Sequence, residues 1–236
     1  MAVVASAGRV SGPISLGPVR QETGPGWAGY TFYVPGVTGV RADWTEPLVA
    51  PAKARAAEFV WLGIGGWYSR SIMQVGTQVF FPGGNYEDEN VWYERYPLDK
   101  TAVGVNFEVF AETTIQATLI RLPGPGGRWR MRVKTTTGAV WTKTVTYTAP
   151  VAGPDFVVED PGLPHGGYAP FPSWGSVAFS HMSVQVDGRW YPAGHFAGLR
   201  LAMARNGKTL ATASALAGGS SFTAHQTGCS PGAVLC

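Results

Sequence analysis

Long apolar runs, dense charge and scattered cysteines are all missing from this chain of 236 residues. No apolar stretch reaches the roughly 20 residues that a membrane helix needs, so no membrane partner is expected. Charged residues make up only 14% of the sequence and the net charge is +3. That is too little for the electrostatic footprint of a nucleic-acid binder; the alternation Arg128, Arg130, Arg132, Lys134 reads instead as the wet face of one strand. The two cysteines, Cys229 and Cys236, sit together at the C-terminus. A disulfide there would pin the tail without cross-linking the core, and the sequence leaves open whether it forms. No His/Cys cluster accompanies the pair, so no metal site is expected. Met1 to Ala7 is short and uncharged, unlike a complete signal peptide. Gly-x-Ser-x-Gly and His-Glu-x-x-His are absent too, which removes the serine-hydrolase and zinc-peptidase readings of His165, His181, His195 and His225. The acidic run Glu87-Asp88-Glu89 lacks the pattern of a calcium loop and reads as a solvated turn.

What the chain does have is turn formers and aromatics: 32 Gly and 18 Pro, with nine Trp, nine Tyr and 11 Phe. Spread evenly, these fit many short strands joined by tight turns. Runs such as Phe59 to Ile64, Ser71 to Phe81, Val91 to Tyr96, Thr114 to Arg121 and Ser176 to Val186 are β-branched or aromatic and stop at Gly or Pro. About 11 to 13 strands with no βα alternation predict an all-β, antiparallel two-sheet β-sandwich of the concanavalin A or jelly-roll kind. Residues 1–25 are rich in Gly, Pro, Ser and Ala without periodicity, and read as a flexible leader or prosegment remnant. No linker interrupts the rest, so 26–236 is expected to form a single domain.

Two strands carry a polar residue where an apolar one would be expected: Glu159 in Phe156-Val157-Val158-Glu159-Asp160, and Gln74 in Ile72-Met73-Gln74-Val75-Gly76. A buried carboxylate or amide is costly unless satisfied, so the two together suggest a site. Alternate residues of a strand share a face. Parity groups Phe59, Trp61, Gly63 and Gly65; then Ile72, Gln74, Gly76, Gln78 and Phe80; then Trp92, Glu94 and Tyr96; then Val157 and Glu159. If these faces adjoin, they make a concave surface of aromatics around a few amides and carboxylates, suited to an extended polymer.

Five motifs in order carry a family resemblance: Trp27-Ala28-Gly29-Tyr30, Trp61-Leu62-Gly63-Ile64-x-Gly66, Ile72-Met73-Gln74-Val75-Gly76, Trp92-Tyr93-Glu94-x-Tyr96-Pro97 and Phe156-Val157-Val158-Glu159-Asp160. No single one is specific, but the ordered set resembles the glutamic peptidases, or eqolisins, whose best-known members are acid endopeptidases secreted by fungi. The resemblance implies a bacterial-type member of that family, a curved sandwich, and a catalytic dyad of Gln74 and Glu159. It also implies substrate-lining roles for Trp27, Trp61, Trp92, Glu94 and Tyr96. Glutamate would take a proton from the attacking water and pass it to the leaving amine. The glutamine amide would hold that water and donate to the oxyanion.

The same resemblance implies protein or peptide substrates, secretion, a monomer, and no cofactor or metal. The chain departs from the family pattern at Gly65, Gln78 and Pro161, where Asp, an acidic residue and an aromatic are usual. With its positive net charge, this points to a milder pH optimum than in the acidic fungal enzymes. Two other classes compete. A glycoside hydrolase would pair Glu94 with Glu159 across a glycosidic bond, leaving Gln74 without a role. A lectin-like module would need neither Gln74 nor Glu159.

Overall fold

The computed structural model describes residues 16–50, 55–83, 88–163, 166–168 and 170–227. The cysteine pair, His165 and Glu87 therefore lie outside the described residues. In chain order the strands are β1 (Val19–Gly24), β2 (Trp27–Phe32), β3 (Val37–Thr45), β4 (Ala56–Gly65), β5 (Ile72–Phe81), β6 (Asp88–Tyr96), β7 (Val103–Glu108) and β8 (Thr114–Arg121). They continue as β9 (Arg128–Thr135), β10 (Val140–Thr146), β11 (Pro154–Glu159), β12 (Ser176–Val186), β13 (Arg189–Pro192), β14 (Gly198–Arg205), β15 (Lys208–Ala213) and β16 (Phe222–Gln226). Two single 3-10 turns, Gly66–Tyr68 and Ala193–His195, are the only helical elements among the described residues. None of them is long and apolar enough to cross a membrane.

Hydrogen bonding joins the strands into one ladder, β10-β9-β8-β3-β12-β16-β15-β14-β2-β11-β4-β5-β6-β7, in which every neighbour is antiparallel. β13 adds to β12, and β1 adds to β14 as the single parallel pair. The expected all-β, antiparallel character is present; the hydrogen bonds trace one sheet rather than two separate ones. Its ends approach each other through side chains. Trp141 of β10 stacks on Tyr93 of β6 with centroids 5.9 Å apart, and the Tyr147 hydroxyl donates to the carbonyl of Ile72. The sheet is thus nearly closed.

Alternation decides which side chains fill the interior. Val60, Leu62 and Ile64 of β4 and Met73 and Val75 of β5 join Val40, Ala42 and Trp44 of β3, Leu119 of β8 and Met131 and Val133 of β9 in one core. Each such side chain contributes about 1.5–3 kcal/mol by leaving water. The indole N–H of Trp44 ties the two sides together, reaching Thr77 on β5 at 3.2 Å. The opposite face of β4, β5, β6 and β11 carries a second, smaller apolar cluster of Trp61, Ile72, Trp92 and Val157, flanked by Trp27 and Phe59. Strands with apolar residues on both faces explain why the sequence reads there as near-continuous hydrophobic runs.

The segment before Trp27 differs from its description as a loose leader. Residues Val19–Gly24 pair in register with Gly198–Met203. All but the last of them are exposed, so the pairing leaves no apolar alternation in the sequence. Strand β6 likewise begins at Asp88, taking in residues that read as part of an acidic turn.

Candidate active site

Glu159 ends β11, opposite Phe59 on β4 and Trp27 on β2. Gln74 lies on β5, opposite Gly63 on β4 and Glu94 on β6. Only β4 separates the strands that carry them, and both side chains fall on the face of the second apolar cluster. Trp61 sits between Phe59 and Gly63 on that face. It is fully buried, and its indole N–H donates to Oε2 of Glu159 at 2.8 Å. Trp27 packs edge-on against it, centroids 5.0 Å apart at 79°. Gly76 makes room for these rings: a Cβ there would stand 2.1 Å from the Val60 carbonyl oxygen and 2.5 Å from the Trp61 Cβ.

Burial pushes the Glu159 carboxyl up to about 7, and the nearby Glu94 and Asp160 carboxylates push the same way, while the Trp27 and Trp61 indoles pull against them. A carboxyl raised this far lies where a group can both take up and give up a proton near neutrality. The amide of Gln74 donates through Nε2 to Oε2 of Glu94 at 2.5 Å. That bond fixes which way the amide points. Its Oε1 is buried and accepts no hydrogen bond from a protein group. Glu94 itself is raised by burial, against the pull of the Gln74 amide.

Two cavities meet at Glu159. One, of about 570 Å³, is lined by Gln74, Glu94, Trp92, Phe59 and Leu163. The other, of about 500 Å³, is lined by Trp27, Trp67, Ile72, Tyr96 and Tyr168. Glu159 belongs to both linings, so the carboxyl stands where an extended chain could pass on either side. Of the residues singled out from the sequence, Gln74, Glu94, Trp92, Trp27 and Tyr96 line this groove, with Tyr96 half exposed at its mouth. Trp61 lines neither cavity; it lies beneath and acts on the Glu159 carboxylate. Trp92 turns its N–H inward to the Thr77 carbonyl at 2.9 Å and offers only its ring.

Sequence reasoning missed Trp67 and Tyr168, whose positions in Gly- and Pro-rich loops gave no strand parity to read. It also missed that Gly65 must be glycine. With φ of 118°, a Cβ there would stand 2.1 Å from the Ser71 carbonyl oxygen, so the acidic residue usual in the family cannot occupy this backbone.

An all-β sheet whose groove sets a carboxyl raised by burial and an oriented amide over an aromatic floor has room for an extended chain. A model of the Peptidase A4 family matches residues 25–226. The chain belongs to that family, the eqolisins, and is a glutamic-type endopeptidase. Solved structures agree on the fold. Scytalido-glutamic peptidase with a transition-state analogue inhibitor superimposes with a TM-score of 0.71 at 19% identity, over 86% of this chain and 98% of that one. SCP-B, an eqolisin in complex with the tripeptide Ala-Ile-His, gives 0.69 at 19% identity over the same shares. Among curated proteins no sequence match was found.

Proposed function

We propose that the protein hydrolyses internal peptide bonds of protein substrates at weakly acidic to neutral pH, with Glu159 as general base and then acid and Gln74 as the oxyanion donor. The observation that carries this reading is the Glu159 carboxyl between the two cavities, raised to about 7 and held by the Trp61 indole. Ionised Glu159 takes a proton from water as the water oxygen attacks the carbonyl carbon. The Gln74 Oε1, which accepts from no protein group, accepts a hydrogen bond from the water's other O–H, whose hydrogen stays on that oxygen. The Nε2 hydrogen not engaged by Glu94 donates to the oxyanion. Glu159 then delivers its proton to the nitrogen, and the C–N bond breaks. An amide cannot titrate, so this donor persists across the acid range.

The family's two-sheet sandwich describes the halves of the ladder that face each other across the core. A single catalytic unit that takes in β1, and a secreted monomer, complete the proposal. Trp27, Trp92, Glu94 and Tyr96 border the substrate path. Casein and a quenched peptide, assayed between about pH 2 and 7 with pepstatin present, test it. Pepstatin-resistant cleavage is expected. Hydrolysis of a β-glucan and not of peptide would install a glycosidase in its place, and sugar binding without hydrolysis a lectin-like module.

A further inference from the structure

The residue after Glu159 is buried as completely as anything in the core, yet it is an aspartate. Asp160 is 0% exposed. Its backbone N–H donates to the Gly26 carbonyl at 2.9 Å, and its Oδ2 accepts a charged hydrogen bond from Nη2 of Arg205, the last residue of β14. Arg205 has a second contact. Its guanidinium lies 4.3 Å from the centroid of the Tyr168 ring. Tyr168 pairs with Gly162 in an isolated bridge, packs on Gly26 (3.2 Å from the point where a Cβ would stand), and forms a wall of the cavity that holds Trp27 and Glu159.

One guanidinium therefore ties a buried carboxylate beside the proposed base to an aromatic wall of the groove. We infer that Arg205 is a positioning residue of the active site, locking the Tyr168 wall in place and neutralising Asp160 beside Glu159. This inference rests on the role proposed for Glu159. The groups facing Glu159 are Glu94 from β6, Asp160 from its own segment, and Tyr168 from the loop beyond; Arg205 answers Asp160. Without that cation Asp160, which burial already raises to about 6 beside Arg205, rises further and holds its proton, so both charges beside Glu159 are lost together. The two functions separate chemically. Lysine at 205 keeps the charge and loses the guanidinium that lies over the Tyr168 ring; methionine loses both.

The test measures kcat and KM against pH for wild type, R205K, R205M, Y168A, D160N/R205M and E159Q, using quenched peptides with large or small residues flanking the cleaved bond. R205K and Y168A should raise KM about fivefold for the large-residue peptide, the equivalent of one cation–π contact, with the acid limb of kcat/KM where it is in wild type. R205M should raise KM by the same factor and leave the acid limb near its wild-type position, because Asp160 goes neutral as the cation is lost. D160N/R205M should match R205M in both readouts. If R205M fails to fold, R205K and Y168A still decide the matter. Wild-type KM in both, with E159Q inert, would overturn the inference alone and leave Arg205 a stabilising ion pair. Near-normal turnover by E159Q would overturn the role of Glu159 and the pH argument with it.

Discussion

Replacing Trp61 by phenylalanine removes one atom pair that matters to the chemistry, the indole N–H that reaches Glu159 at 2.8 Å. That bond favours the ionised carboxylate, so its loss raises a group already at about 7. A hydrogen bond to a charged group is worth about 1.5–3 kcal/mol, and a pKa unit about 1.4 kcal/mol, which sets the rise at about one to two units. Trp27 also holds the carboxylate down, so the lower figure is expected. The base must be ionised to take a proton from water. The acid limb of kcat/KM should therefore move about one unit toward higher pH, with the high-pH plateau changed far less. Trp61 is fully buried, and the smaller ring should also cost about 1–2 kcal/mol of stability. Circular dichroism melts at each assay pH separate that loss from the kinetic shift. An acid limb that stays in place while the plateau falls would refute the reasoning, because the titrating group would then not be the one Trp61 touches.

Two further predictions concern stability. Glu46 is buried, accepting from the Trp44 indole at 3.1 Å and the Thr77 hydroxyl at 2.6 Å, and burial lifts it from 4.5 to about 7. Its stabilising contribution is complete below about pH 4.5 and is lost as pH rises through 7, a difference of roughly 3 kcal/mol. Glu58, buried without a hydrogen-bond partner, and Asp155, which burial raises against the pull of the Thr31 hydroxyl, move in the same direction. Thermal melts should thus show Tm falling between pH 5 and 8, and E46Q, which keeps an acceptor for both donors, should recover about 6 °C or more at pH 8; a pH-independent Tm would contradict this. Gly65→Asp should lower Tm at every pH, by at least about 4 °C for the left-handed backbone alone. An unchanged melt would show that the loop accommodates a side chain.

Glu159 and Gln74 were legible in the sequence because each is a polar residue in a β-branched strand, and parity placed them on one face. The ladder keeps that parity: Gln74 and Glu94 pair directly, and Glu159 falls on the same side. The partner each one takes was not legible. Trp61 and Glu94 read as groove-lining residues, whereas one sits beneath Glu159 and the other orients Gln74. The link between Asp160 and Arg205 spans 45 positions and depends on β14 lying next to β2, which no local pattern encodes. Val19–Gly24 escaped for the opposite reason: backbone pairing alone holds it, and its side chains carry no apolar alternation. Glu46, Glu58 and Asp155 escaped because a lone acid in or beside the end of a strand reads as an outward-facing residue.

The most direct measurement is the turnover of Glu159→Gln on a quenched peptide near pH 6, beside Gln74→Ala and wild type, with melts confirming that each is folded. Both variants should lose at least about 10³-fold in kcat, since one removes the base and the other the oxyanion donor. Turnover by folded Glu159→Gln within a few-fold of wild type would show that another residue moves the proton.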